Sequence, residues 1–322
     1  MAQSSTENTI NKAFAEDVRR GLTHEPKYLL SRYFYDAAGD VIFQKIMNLP
    51  EYYPTRCELE IFQTHWQAIL QQAGGAPFDL IELGAGDGLK TRVLLQHFLE
   101  GAVDFRYLPI DISKHVLVEL EQALHEQWPR LSIVPVEGEY FAALQEIDRL
   151  SDRRKLVLFL GSNIGNMNQE KAANFLLQLR QKLQPGDMLL IGFDLKKDPS
   201  VILAAYNDSA GVTKDFNLNL LRRMNRELGA DFDLSAFRHW PNYNPLNGEM
   251  KSYLISEKQQ TVHFEALALE VPFQKWEAID MELSKKYDRT EIEWLAQGAG
   301  FEVQQWFFDE KEYFADVLFR VL

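Results

Sequence analysis

The stretch DLIELGAGDGLKT, residues 79–91, limits the fold more than any other part of the chain. An apolar run ends at Leu83, glycines follow at every second position (Gly84, Gly86, Gly88), and a segment with helical spacing of apolar residues begins at Lys90. This is a strand entering a helix through bare backbone, and the same grammar recurs downstream. Residues 78–84 (FDLIELG), 104–111 (DFRYLPID), 132–138 (SIVPVEG), 155–161 (KLVLFLG) and 187–195 (DMLLIGFDL) read as strands. Residues 90–100, 113–127 and 169–183 read as the helices between them. Almost wholly apolar strands alternating with helices predict a mostly parallel sheet covered on both faces. Such a sheet takes ligands beyond the carboxyl ends of its strands, where the strand order reverses.

The rest of the chain follows other rules. Residues 11–22 and 57–73 have helical spacing, with an aromatic-rich stretch (residues 32–56) broken by Pro50 and Pro54 between them. Residues 199–250 read as helix and loop, and 250–271 alternate as a hairpin does. At the end, DRTEIEWLAQGAGF predicts a helix stopped at glycine, and EVQQWFFD and YFADVLFRVL predict two tightly joined, hence antiparallel, strands. The expectation is an α/β chain with a cofactor-binding domain of residues 59–198 plus 286–322, and a substrate-binding domain of residues 1–58 plus 199–285. Residues 1–9 (MAQSSTENT) read as a frayed tail.

Composition narrows the partners. A net charge of −13 over 322 residues opposes non-specific binding to nucleic acid or to an anionic membrane. One cysteine, Cys57, rules out an internal disulfide framework, and the seven histidines are not spaced as metal ligands, so no structural metal is expected. With no leader-like apolar segment near Met1 and no apolar run of membrane-spanning length, a cytoplasmic protein is expected. The sequence leaves the oligomeric state open, a monomer being compatible with it.

The loop carries Glu82 ahead of its glycines, as E-x-G-x-G-x-G, and places Leu89 where a dinucleotide-binding G-x-G-x-x-G requires glycine. Class I methyltransferases commonly carry this form around S-adenosylmethionine, and a parallel sheet finished by an antiparallel hairpin suits their Rossmann-like fold. Asp111, at the end of the second strand, is placed to accept from both ribose hydroxyls. Glu139, after the third, is placed to meet an adenine amino group, with Tyr140 beside the ring. The fourth strand ends in FLGSNIGNM, where Asn163 and Asn166 present amides and Gly161 a carbonyl. Bland readings stand beside these. The glycines serve as a plain strand–helix turn, the asparagines cap the next helix, Tyr35, Tyr52 and Tyr206 are packing aromatics, and Glu282 is an exposed acid in a charged run.

The chain resembles the ergothioneine-pathway L-histidine Nα-methyltransferases. The resemblance rests on YFYDAAGDVIFQKIMNLPEYYPTR, ELGAGDGLKTR, LPIDIS, FLGSNIGNM, AYNDSAGVTKDFNLNLLRRMNRELGADFDL and MELSKKY, which run from Tyr33 to Tyr287 in the family's order. It implies that Gly84, Gly86, Lys90, Asp111, Glu139 and Tyr140 hold S-adenosylmethionine. Asn166 and Tyr206 then bind the substrate carboxylate, Tyr52, Glu282 and Ser284 the imidazole, and Tyr35 lies near the methyl-accepting amine. The family has Asp at the position of Glu139 and usually Thr at that of Asn163. The implied reaction is repeated methylation of the histidine α-amino group to its trimethyl betaine, hercynine, with Tyr35 or a water taking the proton. The residue types suit this independently: Glu282 and Ser284, two apart, share a face of a strand, and an imidazole needs a carboxylate and hydroxyls together. Three alternatives remain at this point: the same chemistry on another amino acid or small amine, a nicotinamide-dependent oxidoreductase, and a non-catalytic binding module.

Overall fold

A computed structural model of the chain describes residues 11–322; the tail expected at residues 1–9 lies outside them. In chain order the elements are α1 (Lys12–Thr23), α2 (Ala37–Met47), α3 (Pro54–Ala73), β1 (Phe78–Leu83), α4 (Thr91–Glu100), β2 (Phe105–Asp111), α5 (Lys114–Gln127), β3 (Val136–Glu137), α6 (Tyr140–Leu150), β4 (Arg154–Phe159), α7 (Gln169–Arg180) and β5 (Met188–Asp194). Then come α8 (Pro199–Tyr206), α9 (Val212–Leu228), β6 (Phe237–Asn244), β7 (Glu249–Ser256), β8 (Gln260–Phe264), β9 (Leu269–Phe273), β10 (Ala278–Lys285), α10 (Arg289–Gly298), β11 (Phe301–Phe308) and β12 (Phe314–Val321). The chain divides into two compact units, Met1–Tyr53 with Asp198–Ser284, and Pro54–Lys197 with Lys285–Leu322.

The second unit is built on a seven-stranded sheet in the order β11-β12-β5-β4-β1-β2-β3. β1 pairs in parallel with β2 on one side and β4 on the other, so the strand order reverses at β1. The antiparallel pairs β5–β12 and β12–β11 close the opposite edge. β1 and β5 are buried at every residue. Removing such runs from water is what holds the sheet, at roughly 1.5–3 kcal/mol for each large apolar side chain fully buried. α6, α7 and α10 add Leu144, Ile147, Phe175, Leu176, Ile292 and Leu295 to one core with these strands. α3 begins on Pro54, which suits the first turn of a helix, and packs on β5, β11, β12 and α4.

The first unit has its own core. Phe14, Val18 and Leu22 of α1 meet Leu220, Leu221 and Met224 of α9 and Leu254, Val271 and Ile279 of the strands. Its sheet runs β10-β7-β6, and β8 and β9 form a separate antiparallel hairpin.

Several expectations need correction. The third strand is only Val136–Glu137 plus an isolated pairing of Ile133 with Tyr107, because Pro135 has no N–H to continue the ladder at the sheet edge. Residues 250–271 are not one hairpin: β7 pairs with β6, and β8 with β9. β6 falls in the region read as helix and loop; its Pro241 disguised it, and proline is tolerated there because β6 is an edge strand. α6 was not foreseen at all, although Ala143, Leu144 and Ile147 form a buried helical face. α2 lies inside the aromatic stretch and starts at Asp36, whose side chain accepts from Gly39 N at 2.8 Å.

α7 settles what caps it. Asn168 is the residue at its start, accepting from Lys171 N at 2.9 Å, so neither Asn163 nor Asn166 has that task. Asn168→Ala is expected to lower stability by about 1 kcal/mol, while Asn163→Ala moves it by less than about 0.5 kcal/mol. Urea unfolding of the two variants checks this.

Candidate active site

The glycine loop begins tied to the neighbouring strand, with Gly84 N donating to Ile110 O at 2.8 Å and Ala85 N to the same oxygen at 3.2 Å. A Cβ on Gly84 would lie 2.8 Å from the Tyr140 hydroxyl, and one on Gly88 2.8 Å from Leu120, so these glycines let neighbouring groups approach. Gly86 differs. It has φ of 54°, and a Cβ there would meet no atom within 4 Å. The chain keeps left-handed, bare backbone where nothing of its own packs, as close approach of a ligand requires.

Around this opening the predicted residues gather. Asp111 accepts from Ser113 N at 2.9 Å and lies 3.4 Å from Gly86 N through its other oxygen. Glu139 precedes α6 but makes no capping bond with its side chain. Burial, then the charges of Asp111 and Glu139, push the Tyr140 phenol up to about 12, so the three side chains feel one another. Tyr140 also stands edge-on to Phe159 and Phe175, with centroids 6.0 and 6.4 Å away. Lys90 is ion-paired with Glu58 of α3, and its Nζ would be 3.1 Å from a Cβ on Gly161. The carboxyl-end loops of β1 and β4, on either side of the strand-order reversal, therefore meet at Lys90.

After β4, Gly161 and Ser162 both have positive φ, 71° and 55°, and lead into a single 3-10 turn, Asn163–Asn166. Ser162 Oγ accepts from Asp194 N at 3.0 Å, which anchors the strained pair to β5. Asn163 is half-buried, its amide nitrogen 3.8 Å from a Cβ on Gly161, and Asn166 is exposed.

The first unit collects the remaining residues. Tyr206, at the end of α8, donates from its hydroxyl to Ser284 Oγ on β10 at 2.7 Å, both residues being buried. Glu282 is half-buried two residues before Ser284 on the same strand. The protein around the Tyr35 hydroxyl, then Glu282, Tyr52, Tyr206 and Asp40, hold its phenol well above the ordinary 10. Tyr35 keeps 45% of its surface accessible, so this direction rests more on acidic and phenolic neighbours than on burial. Its ring stands edge-on to Phe43 and Phe216, with centroids 5.4 and 5.5 Å away, and Phe43 is 6.4 Å from Tyr52. Tyr35, Tyr52, Tyr206, Glu282 and Ser284 thus form one aromatic and acidic cluster.

Sequence reasoning passed over Phe43 and Phe216, although both lie in stretches that carry the resemblance, and it missed the acid that holds Lys90. It noted Glu82 without its task. This side chain is 4% exposed and accepts from Thr91 Oγ1 at 2.7 Å and from the Tyr107 hydroxyl, tying the start of α4 to β1 and β2. Burial pushes Glu82 up to about 7 despite those two bonds and the Lys90 charge. The folded protein therefore holds a proton that the unfolded chain releases between about pH 4.5 and 7. The stabilisation is present below this window and is lost as pH rises through it, by roughly 3 kcal/mol. Glu82→Gln is expected to flatten that part of the stability–pH profile, measured by denaturant unfolding from pH 4 to 8.

Comparisons with known proteins agree on the family. A family model described as "Histidine-specific methyltransferase, SAM-dependent" matches residues 14–321. The chain is 40% identical over 298 residues to the histidine N-alpha-methyltransferase of Mycolicibacterium smegmatis, covering 92% of each chain. It is 36% identical over 304 residues to the protein of the same name from Mycobacterium tuberculosis, covering 94% of each. Ergothioneine biosynthesis protein 1 of Schizosaccharomyces pombe is 30% identical over 245 residues, which cover 73% of this chain and 31% of that one. With a glycine cradle at the strand-order reversal and a match over nearly its whole length, the chain belongs to the SAM-dependent, histidine-specific methyltransferase family.

Proposed function

We propose that this protein transfers the methyl group of S-adenosylmethionine to the α-amino nitrogen of L-histidine, up to three times, giving the trimethyl betaine. The observation that carries the histidine assignment is the cluster of the first unit: a carboxylate (Glu282), a paired hydroxyl couple (Tyr206 and Ser284) and two further phenols (Tyr35 and Tyr52). An imidazole has one donor and one acceptor nitrogen, and a carboxylate beside hydroxyls answers both. Family membership sets aside the oxidoreductase reading, which Leu89 in the loop also opposes.

The second unit suits the cofactor. Gly86 leaves open space over bare backbone, Asp111 and Glu139 are acceptors matched to ribose hydroxyls and an adenine amine, Tyr140 offers a ring, and Lys90 offers a cation to a carboxylate. When bound, S-adenosylmethionine supplies an electrophilic methyl group on sulfur. What the chain adds is alignment and a neutral amine. We assign the second unit to cofactor binding and the first to substrate binding.

Tyr206 answers the substrate carboxylate in this reading, and Glu282, Ser284 and Tyr52 hold its ring. With both ends pinned, the amine is positioned for attack, which accounts for much of the rate in such displacements. An amide such as that of Asn163 can accept a hydrogen bond from an amine but cannot itself take the proton. Tyr35 is held as the neutral phenol, so it orients the amine by hydrogen bonding while the proton leaves to water. Repetition needs an amine end that accepts added methyl groups while the other contacts persist. A small-molecule substrate and a cytoplasmic location complete the proposal; the lone cysteine, buried Cys57, suits a reducing compartment. Among the described residues no helix is long and apolar enough to cross a membrane.

A second reading, transfer to another amino acid, is favoured by Asn163 standing where the family usually has threonine. Mass spectrometry of histidine and of a panel of other amino acids, each incubated with protein and S-adenosylmethionine, separates the two. Products carrying one, two and three methyl groups are expected from histidine alone, and no histidine product would remove the assignment. Glu282→Ala is expected to weaken histidine binding at least about tenfold. Its affinity for S-adenosylhomocysteine should stay within about twofold, both measured by calorimetry. Unchanged histidine affinity would take Glu282 out of the substrate site.

A further inference from the structure

The reaction outlined above makes no use of a second acidic device in the cofactor unit. Glu58 of α3 is 0% exposed. Its carboxylate is ion-paired with Lys90 and accepts from Gly161 N through both oxygens, at 2.8 and 3.0 Å. On its other side lies Gly192 of β5, where a Cβ would fall 2.3 Å from Glu58 Oε1. This explains a glycine in the middle of an apolar strand. Paired with Gly192 across the sheet is Asp316 of β12, also 0% exposed.

Neither oxygen of Asp316 meets an N–H or O–H donor. The Glu58 carboxyl lies beside it across Gly192, and a hydrogen bond between two carboxyl groups can exist only when one of them carries a proton. Two ionised carboxylates buried side by side are strongly disfavoured. Burial and the Glu58 charge hold Asp316 well above the ordinary carboxylate range, which favours its neutral form. Glu58, Lys90 and Asp316 then sum to zero. A second ionised acid would leave the group net negative, and Lys90 could no longer attract an anion. Glu82, the other acid acting on Lys90, is itself pushed up to about 7 by burial.

We propose that Glu58 is a positioning residue of the cofactor site, a single carboxylate that is hydrogen-bonded by protonated Asp316 and fixes both the Lys90 ammonium and the Gly161 backbone. The ligand class this serves is the carboxylate of an amino-acid-bearing cofactor, so the inference rests on the cofactor reading of Lys90. Lys90 keeps 21% of its side-chain surface accessible, which leaves it reachable after pairing with Glu58. Packing alone gives no reason for this arrangement, since buried ion pairs are commonly replaceable by apolar residues without loss of stability.

Two measurements test it. Infrared difference spectra of the wild-type protein against Asp316→Asn at neutral pH should show a protonated-carboxyl band belonging to the wild type; its absence overturns the assignment of the proton. Calorimetry with S-adenosylhomocysteine should show Glu58→Gln and Lys90→Met each binding at least about tenfold more weakly. The double variant should be no worse than the weaker single by more than about twofold, because Glu58 acts through Lys90. In turnover, Glu58→Gln should raise KM for S-adenosylmethionine, whereas a purely structural role would lower Tm and leave that KM unchanged. Wild-type affinity in Glu58→Gln, or losses that multiply in the double variant, overturn the proposal. If Glu58→Gln does not fold, Asp316→Asn, which keeps a donor, should bind about tenfold more tightly than Asp316→Leu, and equal affinities count against it. Failure of the wild type to bind S-adenosylhomocysteine would instead defeat the cofactor reading, leaving the infrared result to decide the proton.

Discussion

Parallel pairing of β1 with β2 and β4 is the constraint on which the second unit depends. Because β1 has later strands on both sides, the chain leaves the sheet in opposite directions after β1 and β4, and their carboxyl ends open between the departing loops. One loop carries Gly84, Gly86 and Lys90, the other Gly161, Asn163 and Asn166. Each is held by polar ties to strands: Gly84 and Ala85 to Ile110, Ser162 to Asp194, and Glu82 to Thr91 and Tyr107.

The ionisable groups follow from that placement. Carboxylates buried at strand ends lose water, and each needs donors or a proton in compensation. Glu82 has Thr91 and Tyr107, Glu58 has Lys90 and the Gly161 amide, and Asp316 has its proton. The first unit does the same with phenols, where Tyr35 remains neutral beside Glu282, Tyr52 and Tyr206. In the function proposed above, protonated hydroxyls and one carboxylate answer a zwitterion with an imidazole without adding a positive charge that would compete with the amine.

Much of this was legible beforehand where the signal is local. Apolar strands alternating with amphipathic helices, the glycine turn and the closing hairpin are short-range patterns, and β1, β2, β4, β5, β11 and β12 lie where those patterns lie. Prolines mark the failures. Pro135 shortened β3, and Pro241 disguised β6, because proline reads as a breaker until the strand is known to be at an edge. The partners of β7 were also illegible, since alternation identifies a strand but not its neighbour.

By itself the sequence determined the class of fold, the glycine cradle and the identity of the chemical groups available, because these depend on residues near one another in the chain. Tertiary structure decided which distant groups share a charge. Glu58 reads as one more acid in a polar helix, Gly192 as a weak point in a strand, and Asp316 as an oddity in an apolar one. Only folding brings the three together, and the energy of a buried charge depends on what lies within a few ångströms of it, whatever the separation along the chain.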